Sequence, residues 1–125
     1  RSNLPPPGVP GLETMLPLLL TAVSEGRLTL DQVVERLHAN PARIFHIPTD
    51  AETFVEIDTD ARRTITAEGL FTHCGWTPFA GMATQGVVRK VVLRGRPAFA
   101  DGQILNPPGS GRVLFAETVL SRKEA

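Results

Sequence analysis

Residues 5–14 read PPPGVPGLET and place a rigid, extended loop directly before the start of a helix. The three consecutive prolines fix φ, remove three amide donors and hold the chain in extended or polyproline backbone as far as Gly11. Thr14 is of a residue type that commonly caps helix N-termini. The stretch therefore predicts a stiff loop, then a helix over about Met15 to Glu25, with Gly26 as the left-handed residue that ends it.

Two further helices are predicted after the first one. Thr29 and Gln32 have the spacing of a capping box and would start a second helix with one apolar stripe. We expect that helix to end by Ala39, because a residue before a proline is pushed out of helical backbone. Asn40 would then cap a short third helix over Pro41 to Phe45.

After Pro48 the pattern changes from helical to alternating, which indicates strands. Asp101-Gly102 lies between Phe99 and Ile104 and predicts a type I′ hairpin turn, because both central residues of that turn need positive φ. The stretch 113–119 is compatible with a short strand or a helix, and a charged tail follows it. The predicted strands are 54–58, 86–93 and 97–100.

The composition bears on which partners are plausible. Thirteen basic and thirteen acidic residues leave no net charge, so no long-range field would attract nucleic acid or an anionic membrane surface. The longest apolar run, residues 15–23, is far short of the roughly 20 residues that span a bilayer, and no signal peptide is visible. A single cysteine gives no disulfide framework, which fits a reducing compartment. The first residue is Arg1 rather than methionine, which favours a piece of a longer protein.

The chain's own residues do not suggest a catalytic or metal site. The three histidines, His38, His46 and His73, are far apart, and none has a carboxylate at ligand spacing. Cys74 is expected to be a buried, inert thiol. Glu13 could be catalytic, but a carboxylate at the start of a helix fits an interaction with the helix dipole better. We therefore predict no catalytic residue and no metal ligand in the chain.

Two other groups of side chains are interpreted as structural. A basic cluster on a predicted hairpin is interpreted as a solvated strand edge, with an anion site as the alternative. Its members are Arg89, Lys90, Arg94 and Arg96. Three aromatic residues are expected in the core of the strand module rather than on a recognition surface: Trp76, Phe79 and Phe99.

Three stretches together carry a family resemblance: PPPGVPGLET at 5–14, NPARIF at 40–45 and WTPFAGM at 76–82. The chain resembles the C-terminal part of the dihydroorotase domain in the multifunctional carbamoyl phosphate synthetase, aspartate transcarbamoylase and dihydroorotase protein of pyrimidine synthesis. The resemblance implies an α/β fold, made of the last helices of an amidohydrolase TIM barrel and the C-terminal strands of its small β domain. The implied parts are the active-site loop with barrel helices at 1–48, β-domain strands at 49–120 and a tail at 121–125.

The same resemblance implies an activity. The parent domain would catalyse the reversible cyclisation of N-carbamoyl-L-aspartate to dihydroorotate, with zinc as cofactor and all zinc ligands outside this chain. In the family, the loop that matches residues 5–8 contacts dihydroorotate through main-chain groups. This implies that Pro7 and Gly8 bind substrate, whereas the alternative is that the prolines only stiffen a connection.

The implied partners follow from the parent protein. They are the remaining N-terminal part of the dihydroorotase domain, the small-molecule substrate and further copies in a homo-oligomer, in the cytoplasm and without nucleic acid or membrane. This chain alone would be inactive. Two alternatives stay open: an inactive dihydroorotase-like scaffold domain, as in fungal multifunctional proteins, and a stand-alone binding module, which would have to fold cooperatively by itself.

Overall fold

Helices precede strands in the computed structural model, which describes residues 8–112. The helices are α1 at Met15–Ser24, α2 at Leu30–Val34 and α3 at Asn40–Phe45, with a π-helical turn at Glu35–Ala39 between the last two. The strands are β1 at Phe54–Thr64, β2 at Ala83–Leu93, β3 at Arg96–Ala100 and β4 at Gln103–Ile104. A 3-10 turn at Ala67–Gly69 lies between β1 and β2. The stretch 113–119 and the tail lie outside the described residues.

The four strands form one sheet in the order β1, β2, β3, β4. β2 pairs antiparallel with β3, and β3 pairs antiparallel with β4. The turn between β3 and β4 has the predicted positive φ at both centres, 45° at Asp101 and 83° at Gly102. The turn between β2 and β3 has the same form, with φ of 51° at Arg94 and 73° at Gly95. Helices together with this sheet confirm the mixed α/β class.

Helix α1 begins where the sequence predicts and ends one residue earlier than the predicted Glu25. Gly26 has φ of 71°, and its amide donates to the Val23 carbonyl at 2.9 Å, so it is the left-handed residue that closes the helix. Thr14 precedes the helix but makes no side-chain capping bond to an amide. Thr14 therefore occupies the predicted N-cap position, but its hydroxyl donates to the Gly11 carbonyl at 3.2 Å and caps no amide.

The expected break before Pro41 is absent. Ala39 and Asn40 both have helical backbone, with φ and ψ of −63° and −48° for the first and −67° and −47° for the second. The Asn40 amide donates to the Glu35 carbonyl, five residues back, and this wider π-helical turn carries the helix past a proline that cannot donate. Asn40 is therefore not an N-cap, and its side-chain oxygen accepts from Arg43 at 3.3 Å.

The described residues fall into two compact units. The first unit contains residues 8–29 and Asp58–Val87, and the second contains Leu30–Ile57 and residues 88–112. The buried apolar side chains of the first unit are Leu20, Ala22 and Ile65, and those of the second are Val33 and Val92.

In the first unit, α1 is bonded to the beginning of β2 through Thr21. Its hydroxyl oxygen accepts the Gln85 amide at 2.9 Å and donates to the Pro17 carbonyl at 2.8 Å. In the same unit, the buried Thr84 hydroxyl donates to the Arg63 carbonyl at 3.0 Å. Among the described residues, no buried side-chain nitrogen or oxygen is left without a partner, so these hydroxyls are compatible with burial.

In the second unit, the turn between β2 and β3 is bonded to the segment that precedes β1. The Arg94 amide donates to the Thr53 hydroxyl at 3.0 Å, and the Gly95 amide donates to the Glu52 carbonyl at 2.9 Å. These bonds fix a turn whose first central residue is not a glycine.

Two predictions for the stretch before β2 are wrong. Trp76 is 38% exposed, and the buried residue beside it is Thr77. This stretch is an irregular loop, so no strand alternation turns the indole inward. Cys74 lies in the same loop and is exposed rather than buried. Phe79 and Phe99 are half-buried.

Candidate functional site

The loop before α1 is the candidate site that the sequence predicts. Gly8 is its first described residue, because Pro7 lies outside the described residues together with the other prolines of the run. Gly8 is exposed, and a side chain placed there would meet nothing within 4 Å. Its main-chain groups are therefore accessible, and substrate binding at Pro7 and Gly8 stays a prediction.

The C-terminal end of this loop is fixed at Gly11. The Gly11 carbonyl accepts from the Met15 amide at 2.9 Å, from the Thr14 amide at 3.2 Å and from the Thr14 hydroxyl at 3.2 Å. Thr14 is only 1% exposed, so this bonded turn is held inside the first unit. An open loop residue at position 8 is thus followed three positions later by a fixed one.

Glu13 makes a contact that the sequence does not reveal. Its two carboxylate oxygens accept the backbone amides of Phe71 and Thr72, each at 2.9 Å. A carboxylate that accepts two amides in a half-buried position makes charge-assisted bonds, which are stronger than neutral ones. The Glu13 side chain therefore bonds to a distant segment of the same unit. This differs from the two roles considered from the sequence, a free general base and an interaction with the dipole of α1.

The histidines do not converge. His38, His46 and His73 are all exposed, and His46 has left-handed backbone with φ of 52° at the end of α3. Within residues 8–112, no three histidine, cysteine or carboxylate side chains are grouped in a way that could hold a metal ion. The described residues therefore do not fit a zinc centre, and His73 and Cys74 do not form the metal pair that their adjacency might suggest.

The basic cluster is spread along the strands. Lys90 lies 3.7 Å from the Glu56 carboxylate, with both side chains partly exposed. Arg94 donates to the Ser110 carbonyl at 3.3 Å, and Arg96 is exposed. The side chains of Lys90 and Arg96 are thus reached by solvent, as expected for a solvated strand edge. In the described part of the chain, no helix has both the length and the apolar character to cross a membrane.

Similarity to known proteins is extensive although no protein-family model matches the chain. This chain is 57% identical over 116 residues to the multifunctional protein CAD of Squalus acanthias, and the match covers 93% of this chain and 5% of CAD. It is 39% identical over 114 residues to the dihydroorotase of Pyrococcus furiosus, covering 86% of this chain and 27% of that enzyme. The chain thus spans a small part of the length of the relatives that it matches.

Solved structures give the same result. The inactive dihydroorotase-like domain of the Chaetomium thermophilum CAD-like multifunctional protein has a TM-score of 0.70 and 42% identity, covering 81% of this chain and 28% of that one. A D-hydantoinase has a TM-score of 0.80 and 28% identity, covering 86% of this chain and 25% of that one. The resemblance found in the three sequence stretches is confirmed. The chain therefore belongs with the dihydroorotases and CAD multifunctional proteins, as a segment of the dihydroorotase domain.

Proposed function

We propose that the protein carrying this segment catalyses the reversible cyclisation of N-carbamoyl-L-aspartate to dihydroorotate in pyrimidine synthesis. The observation that carries the proposal is the 57% identity with CAD over 116 residues, together with 39% identity to a single dihydroorotase. Ring closure joins the carbamoyl nitrogen to the side-chain carboxyl carbon and releases water. We place the groups for that step in the rest of the parent domain, so this segment would be inactive alone.

Within the parent domain, the segment would supply the active-site loop and the last barrel helices at 1–48 and β-domain strands at 49–120. Exposed apolar side chains on and near the helices support the proposal that another part of the parent domain packs against them. Leu12 is 88% exposed in the first unit, and Ile44 and Phe45 are 57% and 62% exposed in the second. Adjacent exposed apolar side chains such as Ile44 and Phe45 support a surface that contacts other protein. The TM-score of 0.80 to a hydantoinase supports an amidohydrolase setting.

Substrate contact is proposed at the main chain of Pro7 and Gly8. The open surroundings of Gly8 and the fixed turn at Gly11 support a loop that can present backbone groups without large reorganisation. If the contact is made by main-chain atoms, Pro7→Ala should keep it. The variant would raise KM only by the cost of added loop freedom, about two- to fivefold.

Zinc is proposed for the parent domain with ligands that lie elsewhere in it. The exposed, separated histidines of residues 8–112 support this placement. A zinc titration of this chain tests it. The expected result is no stoichiometric, tight binding, and the opposite result would place metal ligands in the segment.

The deciding experiment is an assay of the intact parent protein. Purified protein should form dihydroorotate from N-carbamoyl-L-aspartate and also open the ring in the reverse direction. A well-folded parent with no turnover in either direction, in the presence of added zinc, would overturn the proposed activity.

A second candidate function is an inactive dihydroorotase-like scaffold within a multifunctional protein. The 42% identity to such a domain from Chaetomium thermophilum favours it, although the identity to CAD is 57%. The same assay separates the two, because a scaffold would fold and assemble without turnover. In either case, the remaining part of the dihydroorotase domain would be the direct partner, and further copies would form a homo-oligomer.

A further inference from the structure

Glu13 bonds two segments that are distant in the sequence. The amides that its carboxylate accepts belong to Phe71 and Thr72, which are 58 and 59 positions away. Both oxygens are used, one for each amide, at 2.9 Å. An ionised carboxylate has two acceptor oxygens and no donor, so it matches two converging N–H groups, whereas glutamine, of the same length, has one acceptor oxygen and a donor NH2 group.

The location of Glu13 gives these bonds a consequence for the loop before α1. Glu13 lies two residues after Gly11, whose carbonyl accepts three hydrogen bonds from Thr14 and Met15. The backbone between positions 11 and 15 is therefore held twice. The Gly11 carbonyl bonds it to Thr14 and Met15, and the Glu13 carboxylate bonds it to the distant amides of Phe71 and Thr72. Gly8, three residues earlier, is exposed, and a Cβ atom placed on it would meet nothing within 4 Å. The position of the loop is therefore set from its C-terminal end.

We propose that Glu13 is a positioning residue for substrate binding, because its carboxylate fixes the end of the loop that presents Gly8. The proposal rests on the proposed function, in which that loop contacts dihydroorotate. Glu13 does not touch the reacting atoms. It holds the direction in which the chain leaves the turn at Gly11, and a small error in that direction misplaces main-chain groups a few residues away.

The test is Glu13→Gln in the intact parent protein. Glutamine has the same length, but one oxygen becomes an NH2 group that would face a backbone N–H, so one of the two bonds is lost and two donors are opposed. Glu25→Gln is the matched control. It also removes one negative charge in the first unit, but Glu25 is exposed, and its carboxylate accepts from nearby Arg27 at 2.7 Å.

Two readouts are needed. Hydrogen exchange at the Phe71 and Thr72 amides reports the bonds themselves, and it should become faster in Glu13→Gln and stay unchanged in Glu25→Gln. Steady-state kinetics should show KM for dihydroorotate raised by roughly tenfold, with kcat changed by less than about threefold, because the loss falls on binding in ground and transition states alike.

The outcomes separate the inference from the function on which it rests. Faster exchange with unchanged KM in an active parent would overturn the positioning role and leave the proposed function intact, since Glu13 would then be only structural. Unchanged hydrogen exchange at the Phe71 and Thr72 amides in Glu13→Gln would also overturn the positioning role, because the carboxylate would then not be holding those amides. A folded wild-type parent without turnover would overturn the proposed function, and the substrate role of Glu13 with it, whatever the exchange at residues 71 and 72 shows.

Discussion

A Cβ atom on Gly86 would lie 2.7 Å from the Leu20 Cβ and 2.7 Å from the Leu20 Cδ1. Both residues are buried, and Gly86 has a backbone φ of 97°, which residues with a side chain rarely adopt. Helix α1 thus approaches β2 as closely as the absence of a side chain permits. The strand that carries Gly86 reads from its sequence only as a valine-rich stretch, and nothing in that pattern reveals the helix lying against it.

Gly86→Ala should be severely destabilising for this reason. Overpacking against Leu20 and the strained φ together are expected to lower the free energy of unfolding by about 3 kcal/mol or more. Urea unfolding of the dihydroorotase domain that contains this chain would measure it. Gly102→Ala is the control, because Gly102 has a similar φ of 83° and nothing within 4 Å. It should cost only about 1 kcal/mol, and equal losses for the two variants would show that close packing is not the cause.

Thr21→Val should weaken the connection between α1 and β2. The change keeps the shape but removes the oxygen that accepts the Gln85 amide at 2.9 Å, so a part-buried donor loses its partner. We expect a loss of about 1–3 kcal/mol in the free energy of unfolding. Thr21→Ser keeps the hydroxyl and should recover most of it. A serine variant as unstable as the valine variant would assign the effect to the methyl group and its packing.

His46→Gly should stabilise the protein. His46 is exposed and has left-handed backbone at the end of α3, where glycine has no steric cost. The gain in the free energy of unfolding is expected to be about 1 kcal/mol. The same substitution at exposed His38, inside the π-helical turn, should instead cost about 1 kcal/mol. Destabilisation by His46→Gly would mean that the imidazole makes a favourable contact in the parent protein.

The pair between Lys90 and Glu56 should contribute little. The charged atoms are 3.7 Å apart, and the two side chains are 38% and 52% exposed, so solvent screens their attraction. A double-mutant cycle with Lys90→Met and Glu56→Gln should give a coupling free energy below about 1 kcal/mol. A larger coupling would contradict the interpretation of the basic cluster as a solvated strand edge.

Several parts of the fold could be predicted because their cause is local. The Asp101-Gly102 turn needs only two residues that tolerate positive φ, and both are present. Gly26 ends α1 for the same reason. The left-handed backbone of Arg94 could not be predicted, because arginine rarely adopts φ of 51°. The bonds from Arg94 to Thr53 and from Gly95 to Glu52 hold it there. The signal in the sequence was only the glycine that follows it.

Other predictions were wrong where a local rule met a competing interaction. Pro41 favours a helix break, but the helix continues through the π-helical turn before Pro41. There the Asn40 amide donates to the Glu35 carbonyl. Thr14 does lie at the N-cap position, but its hydroxyl donates to the Gly11 carbonyl instead of accepting an amide of the first turn. In both cases the residue type indicates what bonds are possible, and the surrounding backbone decides which one forms.

For the candidate site, the sequence by itself determined where helix α1 begins and which residue ends it, because the glycine that closes a helix acts through its own backbone and its near neighbours. It also carried the resemblance to the dihydroorotase family that the comparisons confirm. Only the tertiary structure decided that Glu13 binds the amides of Phe71 and Thr72, and that Thr21 binds the amide of Gln85. Every residue except proline has a backbone amide, so an amide acceptor cannot be matched to its distant partner until the fold brings the two segments together.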